Sequence, residues 1–318
     1  MRAVPPETAA GSLAAELRER VVAAAPGFVP SGEVRRGRKS GLVAGTLDGA
    51  AAVAKVLLRP EPVWLWCFAR EVALYRAFQH APPPVRVPRL LAAEVDAGVL
   101  VLEPLPGQVV AAGRKSGAAL APALRAALVG VVQALARWDA EPVLRGLAAP
   151  HPAITSVLRR RLLEDPCAPQ AWLLDGVARC AQVGVVSAPQ AACIRAALLA
   201  RAETAPGHGD LLPRNLIWDG HRVGVVDWEC AGWYAAAWDS ALLWTALPAL
   251  RRDLWESLPD SPAARQGFLG AAASALAREL YYLHLFARRG GGRAETPRQR
   301  ALAVTLAETV AQLQAGAP

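Results

Sequence analysis

Three polar residues, spaced around a short β-hairpin pattern, restrict the folds open to this sequence. Asp210 is followed by Asn215 five residues later and by Asp227 twelve residues beyond that. Between Asn215 and Asp227, an apolar stretch, an Asp-Gly pair and a second apolar stretch predict strand, turn and strand. The hairpin would return the chain and set Asp227 beside Asn215. We therefore expect the three side chains to face one polar cleft.

These side chains are the ones that phosphoryl transfer requires. A carboxylate such as Asp210 can orient a hydroxyl group and accept its proton, while an amide and a second carboxylate can hold Mg²⁺ on nucleotide phosphates. Asp and Asn are also common in turns, and Asp227 could simply end a strand. The order and spacing favour a catalytic loop, with Asp210 as the catalytic residue and Asn215 and Asp227 as magnesium ligands.

The same region resembles a known family. HGDLLPRNLIWDG at 208–220, VGVVDWE at 223–229 and WDSA at 238–241 resemble the aminoglycoside phosphotransferase and choline kinase-like family of small-molecule kinases. Gly209 stands where protein kinases usually have Arg, and Asp-Trp-Glu replaces Asp-Phe-Gly. Leu212 departs from the family, which often has His there, and we expect this to alter loop packing or substrate contacts.

The resemblance implies an α+β, bilobal protein-kinase-like fold, with an N-terminal five-stranded antiparallel sheet and helix and a larger, mainly helical C-terminal lobe. Leu105-Pro106-Gly107 marks a linker. We expect a nucleotide-binding lobe over 1–103 and a catalytic and substrate-binding lobe over 104–318. Apolar patterning predicts strands near 33–36, 42–47, 51–58, 90–94 and 99–103. It predicts helices near 7–25, 68–78, 120–138, 153–164, 169–183, 188–203, 262–289 and 297–314.

Lys55 and Glu71 form the predicted nucleotide half of the site. Lys55 is the only charged residue of an apolar strand, where an ammonium group is costly without a partner. In a kinase, such a lysine binds the α- and β-phosphates and a helix carboxylate. An edge-strand lysine reaching water is the alternative. Ser40 and Gly41 lie between the first two strands, where a kinase places its phosphate-covering loop, although the GxGxxG pattern is missing.

Further roles follow from the resemblance. Backbone groups of Glu103 and Leu105 would hydrogen-bond the purine of ATP or GTP. His208 would support the catalytic loop, and Asp239 would hydrogen-bond its amides. Glu229 could assist a second metal ion or be a solvated turn acid, and Trp233 is the candidate substrate-facing aromatic residue.

Composition limits the remaining classes of protein. The net charge is +8, but the arginines are dispersed and accompany no nucleic-acid motif, so a nucleic-acid partner is disfavoured. No apolar run reaches the ~18 residues of a membrane span, and no signal-peptide pattern is present. Five scattered cysteines indicate neither a disulfide framework nor a zinc site. We expect a reduced, cytoplasmic protein.

The predicted reaction is Mg²⁺-dependent transfer of the γ-phosphoryl group of ATP or GTP to a hydroxyl of a small molecule. The resemblance suggests an antibiotic that phosphorylation inactivates. Segments 139–205 and 230–318 hold at least as many arginines as acids, which favours a sugar- or nucleoside-containing antibiotic over a polycation. The alternatives are a metabolic kinase acting on an amino alcohol, amino acid or sugar, and a nucleotide-binding module without catalysis. The sequence leaves the oligomeric state open.

Overall fold

The computed structural model describes residues 6–37, 39–59, 61–110, 120–145, 147, 168–199, 204–289 and 296–316. The described residues divide into two compact units. The first comprises residues up to 107 together with 140–147 and 224–229. The second comprises 108–139, 168–223 and the residues from 230 onward. The predicted helix near 153–164 lies outside the described residues.

The first unit contains a five-stranded antiparallel sheet. Its strands are β1 (Phe28–Arg36), β2 (Ser40–Leu47), β3 (Ala50–Leu57), β4 (Leu90–Glu94) and β5 (Val99–Leu102), in the order β1-β2-β3-β5-β4. A two-residue turn, Asp48-Gly49, joins β2 to β3, and both residues have positive φ. An Asp-Gly pair suits such a turn because it tolerates this backbone conformation.

Helix α1 (Pro6–Ala24) covers one face of this sheet. Leu17 and Val21 are fully buried and share a core with Val43, Val56 and Val101 of the strands. Complete burial of one such aliphatic side chain contributes about 1.5–3 kcal/mol. Helix α2 (Pro62–Phe78) follows β3 and precedes β4. It begins six residues before the predicted start, because a proline suits the first helical turn.

The second unit is mainly helical. Its helices are α3 (Pro122–Ala136), α5 (Ala168–Gln182), α6 (Ala188–Leu199), α7 (Trp238–Ala246), α8 (Arg251–Glu256), α9 (Pro262–Arg289) and α10 (Pro297–Ala315); the short α4 (Glu141–Arg145) belongs to the first unit. α9 is the central helix. Ala271, Ala272, Ala273, Ala275 and Ala277 are all buried, and such small side chains let α5, α6, α7 and α10 pack closely around it.

Short strands hold the predicted catalytic loop. β7 (Thr204–Gly207) pairs with β10 (Gly232–Ala235), and β6 (Gln108–Val109) pairs with β8 (Leu216–Trp218). The Asp219 side chain accepts hydrogen bonds from the amides of His221 and Arg222 and so forms the turn between β8 and β9 (Val223–Val225). The chain thus forms the predicted strand, turn and strand.

The predicted α+β fold, with its N-terminal antiparallel sheet and helical C-terminal part, is confirmed. Six short elements were not predicted from the sequence: β6, β7, β10, α4, α7 and α8. Each has nine residues or fewer, which is too short for a clear apolar period. Among the described helices, not one combines the length and the apolarity that a bilayer span demands.

Candidate active site

Lys55 is bonded to two carboxylates within the first unit. Its Nζ donates to Oε2 of Glu71 at 2.6 Å and to Oδ1 of Asp227 at 2.5 Å. Lys55 lies in the interior of the sheet on β3, Glu71 is on α2, and Asp227 follows β9. The edge-strand alternative for Lys55 is therefore wrong, because β3 lies between β2 and β5.

The charges in this cluster are strongly coupled. Burial alone would lower the pKa of Lys55, but the charges of Asp227 and Glu71 and their hydrogen bonds outweigh it and raise that pKa above its ordinary value. Burial, with Asp227 adding like charge, raises the pKa of Glu71 against the opposing pull of Lys55. Lys55 therefore stays charged. Glu71 and Asp227 together carry more negative charge than the single ammonium group of Lys55 neutralises.

Glu229 supplies a third carboxylate, and Lys39 a second ammonium group. Glu229 is buried, its Oε2 lies 3.9 Å from Lys55 Nζ, and its Oε1 is in direct contact with Lys39 Nζ. The alternative of a solvated turn acid is therefore wrong for Glu229. Lys39 Nζ also lies 5.5 Å from the centre of the Trp64 ring, a distance at which a cation is attracted to the ring face.

The backbone at Asp227 is held in an uncommon conformation. Its φ is +66°, which Asp tolerates better than most residues. Trp228 next to it is fully buried, donates from Nε1 to the carbonyl of Val225 at 3.0 Å, and packs edge-on against Phe78 at 5.0 Å. The amide of Val225 in turn donates to the carbonyl of Arg86. These contacts fix the side chain of Asp227 towards Lys55.

Ser40 and Gly41 lie at the start of β2, and Ser40 is paired with Leu57. Gly37 donates its amide to the Ser40 carbonyl at 2.8 Å, which closes the turn before β2; Arg38 lies outside the described residues. A Cβ on Gly41 would lie 2.7 Å from Cδ1 of Leu17 on α1. Helix packing thus explains the glycine at 41, and its predicted phosphate contact stays a prediction.

Glu103 and Leu105 follow β5. Glu103 is exposed, and its amide donates to the carbonyl of Arg89 at 2.9 Å. The backbone group that Glu103 can offer a purine is therefore its carbonyl. A Cβ on Gly224 would lie 2.5 Å from Cδ1 of Leu105, so the glycine in β9 makes room for the leucine.

Asp210 is the centre of a polar cluster in the second unit. Its Oδ2 accepts from Arg214 at 2.6 Å and from Nδ2 of Asn215 at 3.3 Å, and its Oδ1 accepts from Arg278 at 3.3 Å. Nδ2 of Asn215 also donates to the Asp210 carbonyl at 2.9 Å. A carboxylate has about four lone-pair sites, so Oδ1 keeps capacity for a further proton donor.

Asp239 holds the backbone of the loop before Asp210. Its Oδ2 accepts from the amide of His208 at 2.7 Å and its Oδ1 from the amide of Gly209 at 3.0 Å. His208 is fully buried, and its Nδ1 accepts from the amide of Asp210 at 3.3 Å. Burial raises the pKa of Asp239, and nearby His208 and these amides oppose the rise.

Gly209 has no room for a side chain. Its φ is +77°, and a Cβ would lie 2.5 Å from the carbonyl oxygen of Cys230 and closer still to the hydroxyl of Tyr234. That hydroxyl donates to the same carbonyl at 2.5 Å. The loop therefore lies directly on the segment around β10.

Two remaining residues of the motif have defined surroundings. Trp233, the predicted substrate-facing residue, is half-buried in β10 and paired with Pro206. Leu212, where the family often has His, packs partly buried against the helical core of the second unit.

The carboxylate contacts of Lys39, Arg214 and Arg278 were not predicted from the sequence. Arg214 is four residues after Asp210 on the same short turn, so its spacing was available as a signal. Lys39 and Arg278 are 190 and 68 residues away from their partners. No local pattern predicts contacts of such separation.

The carboxylates of the first unit fit a magnesium ion. The side chain of Asp227 offers carboxylate oxygens, which are ligands that Mg²⁺ prefers, and the predicted sharing of that ion with Asn215 of the second unit stays a prediction. Glu71, Asp227 and Glu229 place ligand oxygens within 4.8 Å of one another. These three carboxylates outnumber the two ammonium groups of Lys55 and Lys39, which also favours a bound cation. Added positive charge would relieve the repulsion among them.

Comparison with known proteins defines the class. Residues 46–276 match the model of the phosphotransferase enzyme family, and this is well over half of the chain. The protein therefore belongs to the phosphotransferase enzyme family. No curated protein shows significant similarity to the sequence.

Solved structures agree in fold. A macrolide 2'-phosphotransferase from Brachybacterium faecium is 19% identical with a TM-score of 0.59, over 90% of this chain and 96% of that one. A choline/ethanolamine kinase family protein from Mesorhizobium loti is 17% identical with a TM-score of 0.58, over 95% and 94%. A thermostable mutant of aminoglycoside phosphotransferase APH(4)-Ia, in a ternary complex with ADP and hygromycin B, is 16% identical with a TM-score of 0.56, over 96% and 100%. The fold is that of kinase-like small-molecule phosphotransferases.

Proposed function

We propose that this protein transfers the γ-phosphoryl group of ATP or GTP to a hydroxyl group of a small molecule. The observation that carries the proposal is the Asp210 cluster: a buried carboxylate, held by Asn215 and by two arginines, on a loop fixed by Asp239. Such a group is positioned to accept a proton from a bound hydroxyl.

Each residue has a role in this reaction. Asp210 orients the acceptor hydroxyl and takes its proton, and Lys55, held by Glu71, binds the α- and β-phosphates. The backbone of Glu103 and Leu105 binds the purine, and Ser40 and Gly41 lie at the phosphates. Asn215 and Asp227 would hold Mg²⁺, which when bound neutralises charge on the phosphates. His208 and Asp239 position the loop. The rate gain would come from orientation and charge stabilisation.

The proposed acceptor is an antibiotic that phosphorylation inactivates. Structures of the same fold include a macrolide phosphotransferase and an aminoglycoside phosphotransferase bound to ADP and hygromycin B. A metabolic kinase is the second candidate, favoured by the fold match to a choline/ethanolamine kinase family protein. We propose a reducing cytoplasm as its location, because the five cysteines are scattered along the sequence and form no Cys-x-x-Cys pair.

A phosphorylation screen tests the proposal. The protein is incubated with ATP or GTP and Mg²⁺ against aminoglycoside, peptide, macrolide and nucleoside antibiotics and a set of metabolites. A mass gain of one phosphoryl group on an antibiotic supports the first candidate, and a gain only on a metabolite supports the second. Nucleotide binding without transfer to any acceptor would favour a non-catalytic module.

A further inference from the structure

A cavity of about 90 Å³ lies beside the catalytic loop in the second unit. We call it the arginine cavity and define it by Arg179, Trp238, Ser274, Arg278, Tyr281 and Tyr282. It could hold about three waters or a small functional group. Arg278 connects it to the site, because the same guanidinium group that lines the cavity donates to Oδ1 of Asp210 at 3.3 Å.

The charged side chains that line the cavity are cationic. Among the described residues that line it, two are arginines and none is a carboxylate. Cys180 is also in its wall, but burial raises the pKa of this thiol to about 11, so it adds no negative charge at neutral pH. The remaining polar groups are the hydroxyls of Ser274, Tyr281 and Tyr282, which can donate hydrogen bonds.

The guanidinium of Arg278 is held in place by aromatic rings. Its Cζ lies 6.0 Å from the centre of the Trp238 ring and 5.9 Å from that of Tyr282. Cation–π attraction operates at these distances. A guanidinium that is already oriented loses little entropy when it binds an anion, and its planar fork matches a carboxylate or phosphate.

We propose that the arginine cavity binds an anionic group, a carboxylate or a phosphate monoester, carried by the acceptor molecule a few bonds away from the hydroxyl that Asp210 activates. The proposal rests on the phosphotransferase function proposed above and narrows its acceptor to a hydroxylated anion. A cationic amino group would meet two like charges in this cavity. Polycationic aminoglycosides are therefore disfavoured as acceptors.

The test measures dissociation constants by NMR titration of the full-length protein with four probes of similar size: glycerate, glycerol 3-phosphate, glycerol and ethanolamine. The probes separate a carboxylate from a phosphate, and both from a neutral and a cationic group. We expect at least one anionic probe to bind at least tenfold more tightly than glycerol and ethanolamine.

Three variants locate the bound anion. Arg179→Gln should weaken the anionic probe about tenfold. Arg288→Gln removes the same charge from an exposed position on α9 and should leave binding nearly unchanged. Lys55→Met/Glu71→Gln, which removes the lysine together with its buried partner, should also leave it unchanged, because binding at the predicted nucleotide phosphate site would depend on Lys55 instead. Circular dichroism and thermal unfolding establish that each variant is folded.

The outcomes separate this inference from the proposed function. Equal binding of anionic and neutral probes, or anion binding that survives Arg179→Gln, overturns the cavity proposal whether or not phosphoryl transfer is observed. Anion binding that requires Arg179 in a protein without transferase activity supports the cavity and removes its link to catalysis.

Discussion

Lys55 Nζ donates a hydrogen bond to Oδ1 of Asp227 at 2.5 Å, although 172 residues separate the two in the chain. One is an interior residue of β3 and the other follows β9 in a left-handed backbone conformation. Since Glu71 shares the same ammonium group, the loss of Lys55 affects two carboxylates at once.

Replacement of Lys55 by Met should weaken both folding and nucleotide binding. Because it leaves Glu71 buried without its cation, we expect the free energy of unfolding to fall by about 3–5 kcal/mol. Loss of the phosphate contact should raise the KM for the nucleotide about 10–100-fold. The Lys55→Met/Glu71→Gln variant should regain stability in chemical denaturation but not nucleotide affinity. Recovery of both would show that Lys55 does not contact the nucleotide.

The stabilisation by Lys55 should persist to high pH. Its pKa lies above the ordinary 10.5, so its ion pair contributes fully below that value and is lost as the pH rises through the folded pKa. Comparison of Glu71→Gln with Lys55→Met/Glu71→Gln isolates the pairing with Asp227. The difference between the unfolding free energies of these two variants should stay constant from about pH 7 to about pH 10 and should decrease above about pH 10. A decrease that begins near neutral pH would contradict the pairing.

Gly209 and Gly220 form a matched pair for mutation. Both have positive φ, but a Cβ on Gly220 meets nothing within 4 Å, whereas one on Gly209 would overlap Tyr234 and Cys230. Gly220→Ala should lower the free energy of unfolding by about 1 kcal/mol, measured by thermal or chemical denaturation. Gly209→Ala should cost more than 3 kcal/mol or abolish activity, because backbone must also move. Similar losses in the two variants would mean that the loop has space that the structure does not show.

Asp239→Asn should disturb the catalytic loop. An amide offers one acceptor oxygen where the carboxylate offers two, so its NH₂ group would face the amide of His208 or Gly209. We expect a loss of about 1–3 kcal/mol in unfolding free energy and a larger fall in kcat than change in KM. Asp260→Asn, at a highly exposed carboxylate, is the control. It should change neither the unfolding free energy nor kcat by much. An unaltered kcat in Asp239→Asn would remove its role in positioning Asp210.

The sequence predicted the elements that have long periods or sharp end signals. α9 was placed at 262–289 as observed, and α10 begins after Thr296, whose side chain caps it together with Gln299. The five strands of the first sheet were also located from their apolar residues and the turn residues between them, although β1 begins at Phe28, five residues before its predicted start. The short strands around the catalytic loop were missed, because tertiary pairing rather than local pattern forms them.

For the candidate site, the motif identified residues but not their neighbours. Lys55 and Glu71 were expected as a pair, and they are bonded to each other. The contacts of Arg278 with Asp210 and of Lys39 with Glu229 depend on how distant elements pack. The arginine cavity could not be predicted from the sequence for the same reason, since its residues come from α5, α7 and α9.

The most direct test of the account compares the natural protein with Asp210→Asn in the phosphorylation screen, with Asp219→Asn of the β8–β9 turn as the control. The account predicts Mg²⁺-dependent transfer of one phosphoryl group by the natural protein and the control. It predicts a fall in kcat of about 10²–10⁴-fold in Asp210→Asn, with nucleotide affinity little changed. Transfer at an undiminished rate by Asp210→Asn would contradict the assignment of Asp210 as the catalytic residue.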